Sequence, residues 1–254
     1  MNFFLSPLEQ FEILPIYTIF FVVITNQVVI LALTFFFLIT LFFSLVATDF
    51  EQSSFAYIIP RRIQVVIEII YSMLLGMTLD NINGKHNAEF FPLIFSIFFF
   101  ISCMNLIGLV PYSFTVTSHF IVTLCLSISI FIGINIISIR IHGLEFFSLF
   151  LPSGTSTALA FLLVPVELIS FVFKPLSLAI RLFCNMMAGH TLLKVFVGFA
   201  WTLINFSGLS FLLHIVPLLI LFPLFGLELG VALIQSYVFS LLTCIYLNDA
   251  INLH

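Results

Sequence analysis

The stretch Lys174-Pro175-Leu176-Ser177-Leu178-Ala179-Ile180-Arg181-Leu182-Phe183-Cys184-Asn185-Met186-Met187-Ala188-Gly189-His190 decides how this chain is read. It lies inside an apolar run from about Thr157 to Ala200, the pattern of a membrane helix. Yet the run holds an arginine near its middle, a lysine before it and a histidine after it. An arginine at bilayer depth costs about 2.5–3.5 kcal/mol on insertion scales. A long side chain escapes that cost by snorkelling only near a helix end, and Arg181 is about 20 residues from either end of its run. It must face a protein interior or a water-filled pathway, and the default reading of such a residue is ion transport.

Composition gives the same class. The chain is 62% hydrophobic and 7% charged, against about 25% charged residues in a soluble domain, and its mean hydropathy is +1.31. This is a polytopic membrane protein embedded in a lipid bilayer. The formal charge of −4 argues against nucleic acid as a partner. Cys103, Cys125, Cys184 and Cys244 are scattered through apolar runs without metal-type spacing and read as small buried hydrophobes. No basic secretory signal and no Arg-rich transit sequence opens the chain, which suits synthesis inside an organelle.

The predicted architecture is all-α. Residues 1–15 read as an amphipathic segment, with Ser6, Pro7 and Glu9 in a capping box and Phe11, Ile13 and Leu14 dipping into the interface. A first membrane helix is expected over 16–47, where Asn26 and Gln27 signal helix–helix hydrogen bonds. Residues 48–89 hold an amphipathic interfacial helix after Pro60, with Arg61, Gln64, Glu68 and Ser72 on one stripe, ended by the turn Asp80–Lys85. A two-helix transmembrane hairpin spans 90–141 and turns at Pro111. Arg61, Arg62, Lys85 and Arg140 fall on one side of this topology, which the positive-inside rule makes cytoplasmic, or matrix in a mitochondrion. A loop with Pro152-Ser153-Gly154 leads into a long C-terminal hairpin over 157–249. Each of its arms approaches 40 residues, about 60 Å as a helix, against a hydrocarbon core of about 30 Å. The arms must tilt steeply or bend, and Pro165, Pro175, Pro217 and Pro223 offer bending points.

The polar residues of that hairpin come level with one another. If the turn centres near Gly208, Arg181 lies level with Gln235, Glu167 with Asp249, and His190 within about one turn of Glu228. At 100° per residue Glu167, Lys174 and Arg181 share a stripe, as do Glu228 and Gln235. His190 lies about half a turn away in phase from Arg181 and about 13 Å along the axis. Two polar clusters result, His190/Glu228 and Glu167/Asp249, with Arg181/Gln235 between them. A continuous water channel needs no permanent cation at its midpoint, whereas two half-channels separated by a barrier do. Ser177 and Asn185, one turn on either side of Arg181, could orient it or water. Lys174 is expected to snorkel, and His119 and His214 to be structural.

The stretch with Arg181, Asn185 and His190 resembles subunit a of the rotary F-type ATP synthase. Ser6-Pro7-Leu8-Glu9-Gln10-Phe11-Glu12, the turn Asn105-Leu106-Ile107-Gly108-Leu109-Val110-Pro111 and the helix carrying Glu228 and Gln235 are similar to the mitochondrial branch, and the likeness covers nearly the whole chain. It implies a non-catalytic, proton-conducting subunit without cofactor or metal, working against a ring of c subunits, with peripheral-stalk and other membrane subunits as further partners. It places the chain in the mitochondrial inner membrane. Arg181 would be the arginine facing the ring's carboxylates; protons would enter past His190 and Glu228 and leave past Glu167 and Asp249. Bacterial relatives typically carry this acid and this histidine in the reverse order, which leaves an imidazole beside a carboxylate either way.

Two other classes compete. A haem-binding membrane cytochrome needs histidine pairs level on facing helices, and His190 and His214 are offset. A secondary proton-coupled transporter needs two similar halves with matching broken helices, and no such repeat is seen. No nucleotide-binding loop is present in the sequence, so ATP chemistry belongs to partner subunits.

Overall fold

The computed structural model of the chain describes residues 8–19, 22–51, 62–82, 87–110, 113–143, 145–146, 157–204 and 215–252. Ser6 and Pro7 of the expected capping box, Pro60 and Arg61, the end of the Asp80–Lys85 turn, Pro111, the Pro152–Gly154 loop, Gly208 and His214 lie outside these residues.

Among the described residues six α-helices follow in order: α1 (Asn26–Glu51), α2 (Arg62–Asn81), α3 (Asn87–Gly108), α4 (Phe120–His142), α5 (Thr157–Ile204) and α6 (Ile215–Ile251). Four of them, α3 to α6, are long and apolar enough to cross a membrane. The protein is therefore an all-α, multi-pass membrane protein. The 48 residues of α5 make a helix about 70 Å long, and the 37 of α6 one about 55 Å long, well beyond a bilayer's hydrocarbon core.

The beginning of the chain differs from the sequence expectation. Residues Pro15–Ile19 and Val22–Thr25 form a short antiparallel hairpin, β1–β2, and the helix expected from residue 16 starts only at Asn26. The cause is local. Val22, Val23, Ile24 and Thr25 are a β-branched run, stiff at χ1 and suited to a strand. Asn26 then ends the hairpin and opens α1. Its Oδ1 accepts from the backbone N–H groups of Leu14 (3.3 Å) and Gln27 (2.9 Å), and its Nδ2 donates to the Glu12 carbonyl (3.1 Å). Asn26, expected to bond to another helix, instead clamps the N-terminal segment to its own helix.

Helix α6 is the hub, packing against α5, α3, α4 and α2. Half of its buried positions are small or hydroxylated residues: Ala232, Ser236, Ser240, Thr243, Cys244 and Ala250. Small side chains let helix backbones approach closely where lipid provides no hydrophobic driving force. The buried hydroxyls are satisfied on their own helix: Ser236, Ser240 and Thr243 donate to the carbonyls of Leu233, Tyr237 and Phe239. Asn105 of α3, fully buried, donates to the Ala232 carbonyl at 3.2 Å. His142 at the end of α4 lies 2.8 Å from the Ile251 carbonyl. These bonds tie the middle and the C-terminal end of α6 into the bundle. The C-terminal part of α2 covers the α3 and α6 ends that carry Ile94, Phe98 and Leu247, burying Leu74, Met77 and Ile82 against them. Cys103 and Cys244 are buried as expected, but Cys125 and Cys184 are exposed.

Ala232 is fully buried against Leu109 and Met186 where α3, α5 and α6 meet. Ala232→Leu should overpack that junction at a cost of roughly 1–3 kcal/mol, read as a lowered Tm of the purified complex. An unchanged Tm would show that the α3–α5–α6 contact is looser than described.

Candidate functional site

Three polar groups line the α5–α6 hairpin at successive depths. Nearest the end where the α3–α4 turn lies, His190 Nδ1 of α5 and Glu228 Oε1 of α6 are 3.4 Å apart, with side chains 14% and 5% exposed. A carboxylate is tolerated at such depth only beside a partner. The partner's approach depends on Gly189: a Cβ there would lie 2.8 Å from Glu228 Oε1 and 3.1 Å from its Cδ. The sequence reading missed this glycine, which lies beside the histidine.

The pair joins two cavities. His190 lines one of about 850 Å³, shared with the N-terminal segment and Lys194. Glu228 lines another of about 250 Å³, together with Asn185 and Gly189. His190 Nε2 and both Glu228 oxygens are buried without a hydrogen-bond partner among the described residues, and buried polar atoms of this kind are normally satisfied by water. An imidazole between a watery cavity and a carboxylate can take a proton on one nitrogen and give one from the other.

At the middle level the pairing differs from the sequence expectation. Gln235, 3% exposed, accepts from Asn185 Nδ2 at 2.8 Å, one turn beyond the arginine that was expected to meet it. Arg181 instead stands on the exposed face of α5, in a stripe with Ser177, Cys184 and Ala188. The observed pairing lies one helical turn from the expected level, because the helix phase turns Asn185 inward and Arg181 outward. Among the described residues Arg181 makes no ion pair.

At the opposite end, Glu167, Lys174 and Asp249 line one cavity of about 60 Å³. Lys174, expected to snorkel, is held within the bundle: its Nζ lies 3.3 Å from Asp249 Oδ2 and 5.2 Å from the Tyr246 ring centroid. Glu167 and Asp249 therefore share a cavity as expected, but not as an unpaired pair of acids, because the lysine on the same α5 stripe reaches Asp249. Helix α4 adds Asn135 and Ser138 to the wall, and the Ser138 hydroxyl is buried without a partner among the described residues. Sequence reasoning missed both. Their signal was weak, since α4 also carries Thr123, Ser127 and Ser129, and nothing in the sequence said which helix any of them would face. Among the described residues no three His, Cys, Asp or Glu side chains converge as a metal site requires.

The fold and the site define a multi-pass membrane protein whose longest hairpin carries two polar cavities at opposite ends and an exposed arginine between them. The family described as ATP synthase A chain matches residues 28–248, most of the chain, and the chain belongs to that family. It is 52% identical over 255 residues to ATP synthase subunit a of Pylaiella littoralis, with 99% of this chain and 100% of the relative covered. The subunit a of Marchantia polymorpha is 48% identical over 255 residues, with coverages of 98% and 99%. That of Chondrus crispus is 46% identical over 249 residues, covering 98% and 97%. The chain is thus a membrane subunit of an ATP synthase rather than a catalytic one, and it works alongside that enzyme's other subunits.

Gly189→Ala should force the Glu228 carboxylate aside and open its separation from His190 beyond about 4 Å, the limit of an ion pair. A structure of the variant would measure this directly. Adding Glu228→Asp, one methylene shorter, should relieve the clash; an unchanged His190–Glu228 distance in Gly189→Ala would show that the glycine is incidental.

Proposed function

We propose that this chain is the proton-conducting stator subunit of a mitochondrial F-type ATP synthase. It offers two offset half-channels to a ring of c subunits, separated by Arg181. The observation that carries this reading is the position of Arg181: exposed on the outer face of α5, about 13 Å along the helix from His190 and about 10 Å from Lys174. Each neighbour belongs to a separate cavity.

A proton enters through the cavity lined by His190 and passes to Glu228. From there the smaller cavity shared with Asn185 leads toward the face that carries Arg181. Asn185, which lines this cavity, is held by its bond to Gln235. The proton neutralises a carboxylate of the c-ring, which then enters lipid without the cost of a buried charge. When that carboxylate returns, Arg181 favours its ionised form and the proton leaves through the cavity of Glu167, Lys174 and Asp249. Arg181 also blocks direct passage between the half-channels by repelling an excess proton. Ser177, one turn below it, keeps the exposed face small enough for a close partner. One charge crossing 100 mV releases about 2.3 kcal/mol, and rotation of the ring delivers that energy to the catalytic subunits. The end of α4 that carries Arg140 is the matrix side by the positive-inside rule. The exposed phenylalanines of α1, Phe35, Phe36 and Phe37, are available to lipid and to peripheral-stalk subunits.

Arg181→Ala in the assembled complex should abolish proton-driven ATP synthesis; synthesis at the normal rate would remove the arginine from the mechanism. His190→Ala and Glu228→Ala should each slow synthesis while leaving assembly intact. Because they serve one relay, the double variant should be little worse than the more damaged single. Effects that multiply would mean that the two residues act independently.

A further inference from the structure

The N-terminal segment takes no part in the account so far, yet it closes the outer wall of the His190 cavity. Glu9–Phe11 form a 3-10 turn, and Glu9, Gln10 and Glu12 line that cavity together with Asn26, His190 and Lys194. The Phe11 ring meets the His190 imidazole edge-on, with centroids 6.5 Å apart and planes at 72°. This arrangement is favourable for aromatic rings and restrains the imidazole's tilt. The segment is also held firmly. Asn26 bonds to the Glu12 carbonyl and the Leu14 N–H, and its own N–H donates to the Leu14 carbonyl at 3.2 Å.

Two further atoms give the segment a chemical role. Gln10 Nε2 and His190 Nε2 both belong to residues lining this cavity, and both are buried without a hydrogen-bond partner among the described residues. With Nδ1 turned toward Glu228 at 3.4 Å, Nε2 is the nitrogen left to serve the cavity. Buried polar atoms facing the same polar space are bridged by water as a rule. A passive membrane anchor would have no reason to carry a buried amide there.

We propose that residues Glu9–Glu12 are the outer section of the proton inlet: Gln10 and His190 hold a shared water that delivers the proton to the imidazole, and Phe11 is the positioning residue that keeps the imidazole aimed at Glu228. The inference rests on the reading of His190 and Glu228 as the inlet. The charged and titratable groups around the imidazole are Glu9 and Glu12 on the segment, Lys194 on α5 and Glu228 on α6.

The test uses the whole complex in liposomes with Gln10→Leu, Phe11→Leu, Phe11→Tyr and His190→Ala, reading ATP synthesis at fixed driving force. Gln10→Leu should lower turnover about fivefold, the effect of one lost hydrogen bond, with normal assembly. Imidazole added on the inlet side alone should restore it, since a diffusible base can replace a missing water relay but cannot repair a packing defect. Phe11→Leu should fall similarly, and Phe11→Tyr, which keeps the ring, should not. Normal turnover in both Leu variants beside a slow His190→Ala would overturn this inference and leave the inlet standing. A loss in Gln10→Leu that inlet-side imidazole does not relieve would assign the segment a structural role and also overturn it. Normal turnover in His190→Ala would remove the inlet reading, and this inference with it.

Discussion

A permanent positive charge in the middle of a membrane helix is the constraint on which this structure depends. Arg181 cannot be neutralised by losing a proton, and lipid does not tolerate it without a cost of several kcal/mol. The chain does not bury it. The acids of the hairpin lie at other levels and are paired there, Glu228 with His190 and Asp249 with Lys174, and the arginine is left on the outer face of α5. On the function proposed above, a carboxylate of a second molecule meets the arginine on this face.

The remainder of the fold supports that placement. The two long helices must stay close over their whole length for partners on α5 and α6 to meet. The small and hydroxylated face of α6 permits this, with its hydroxyls satisfied internally so that none competes for the functional groups. Gly189 provides the closest approach, where a carboxylate reaches the backbone of the facing helix. Asn105 and His142 hold α6 to carbonyl groups on its own chain at 3.2 and 2.8 Å, so the depth of each polar pair is fixed by hydrogen bonds as well as by apolar packing.

Much of this was legible in the sequence. Charged residues are so scarce that each one marks a position of consequence, and an antiparallel hairpin permits levels to be matched by arithmetic. His190 and Glu228 met as that arithmetic expects. It failed by one turn at Gln235, which took Asn185 rather than Arg181, and at Asp249, which took Lys174 in the cavity it shares with Glu167. Asn185 lies one turn from Arg181 and Lys174 about two turns from Glu167, and in each case the longer-reaching or better-phased neighbour on the same helix took the partner. Contributions from outside the hairpin were not legible. Asn135 and Ser138 reach the lower cavity from α4, and Gln10 and Phe11 reach the upper one from a segment separated from it by more than half the chain. Neither level nor phase within the hairpin specifies such contacts. The β1–β2 hairpin was missed because its apolar run is as hydrophobic as a helix, and only its β-branched residues and the clamp at Asn26 distinguish it.

The central claim is that the two polar cavities open to opposite sides of the membrane and do not join. Single cysteines at Leu193, which lines the cavity of His190, and at Ser170, which lines that of Glu167 and Asp249, test it in a chain whose four native cysteines have been replaced. Membrane vesicles of known orientation would be treated on one side only with a small, impermeant thiol reagent. The account predicts that the Leu193→Cys position reacts only from the inlet side and the Ser170→Cys position only from the matrix side. Reaction of either position from both sides would mean one continuous pore, and would contradict a barrier at Arg181.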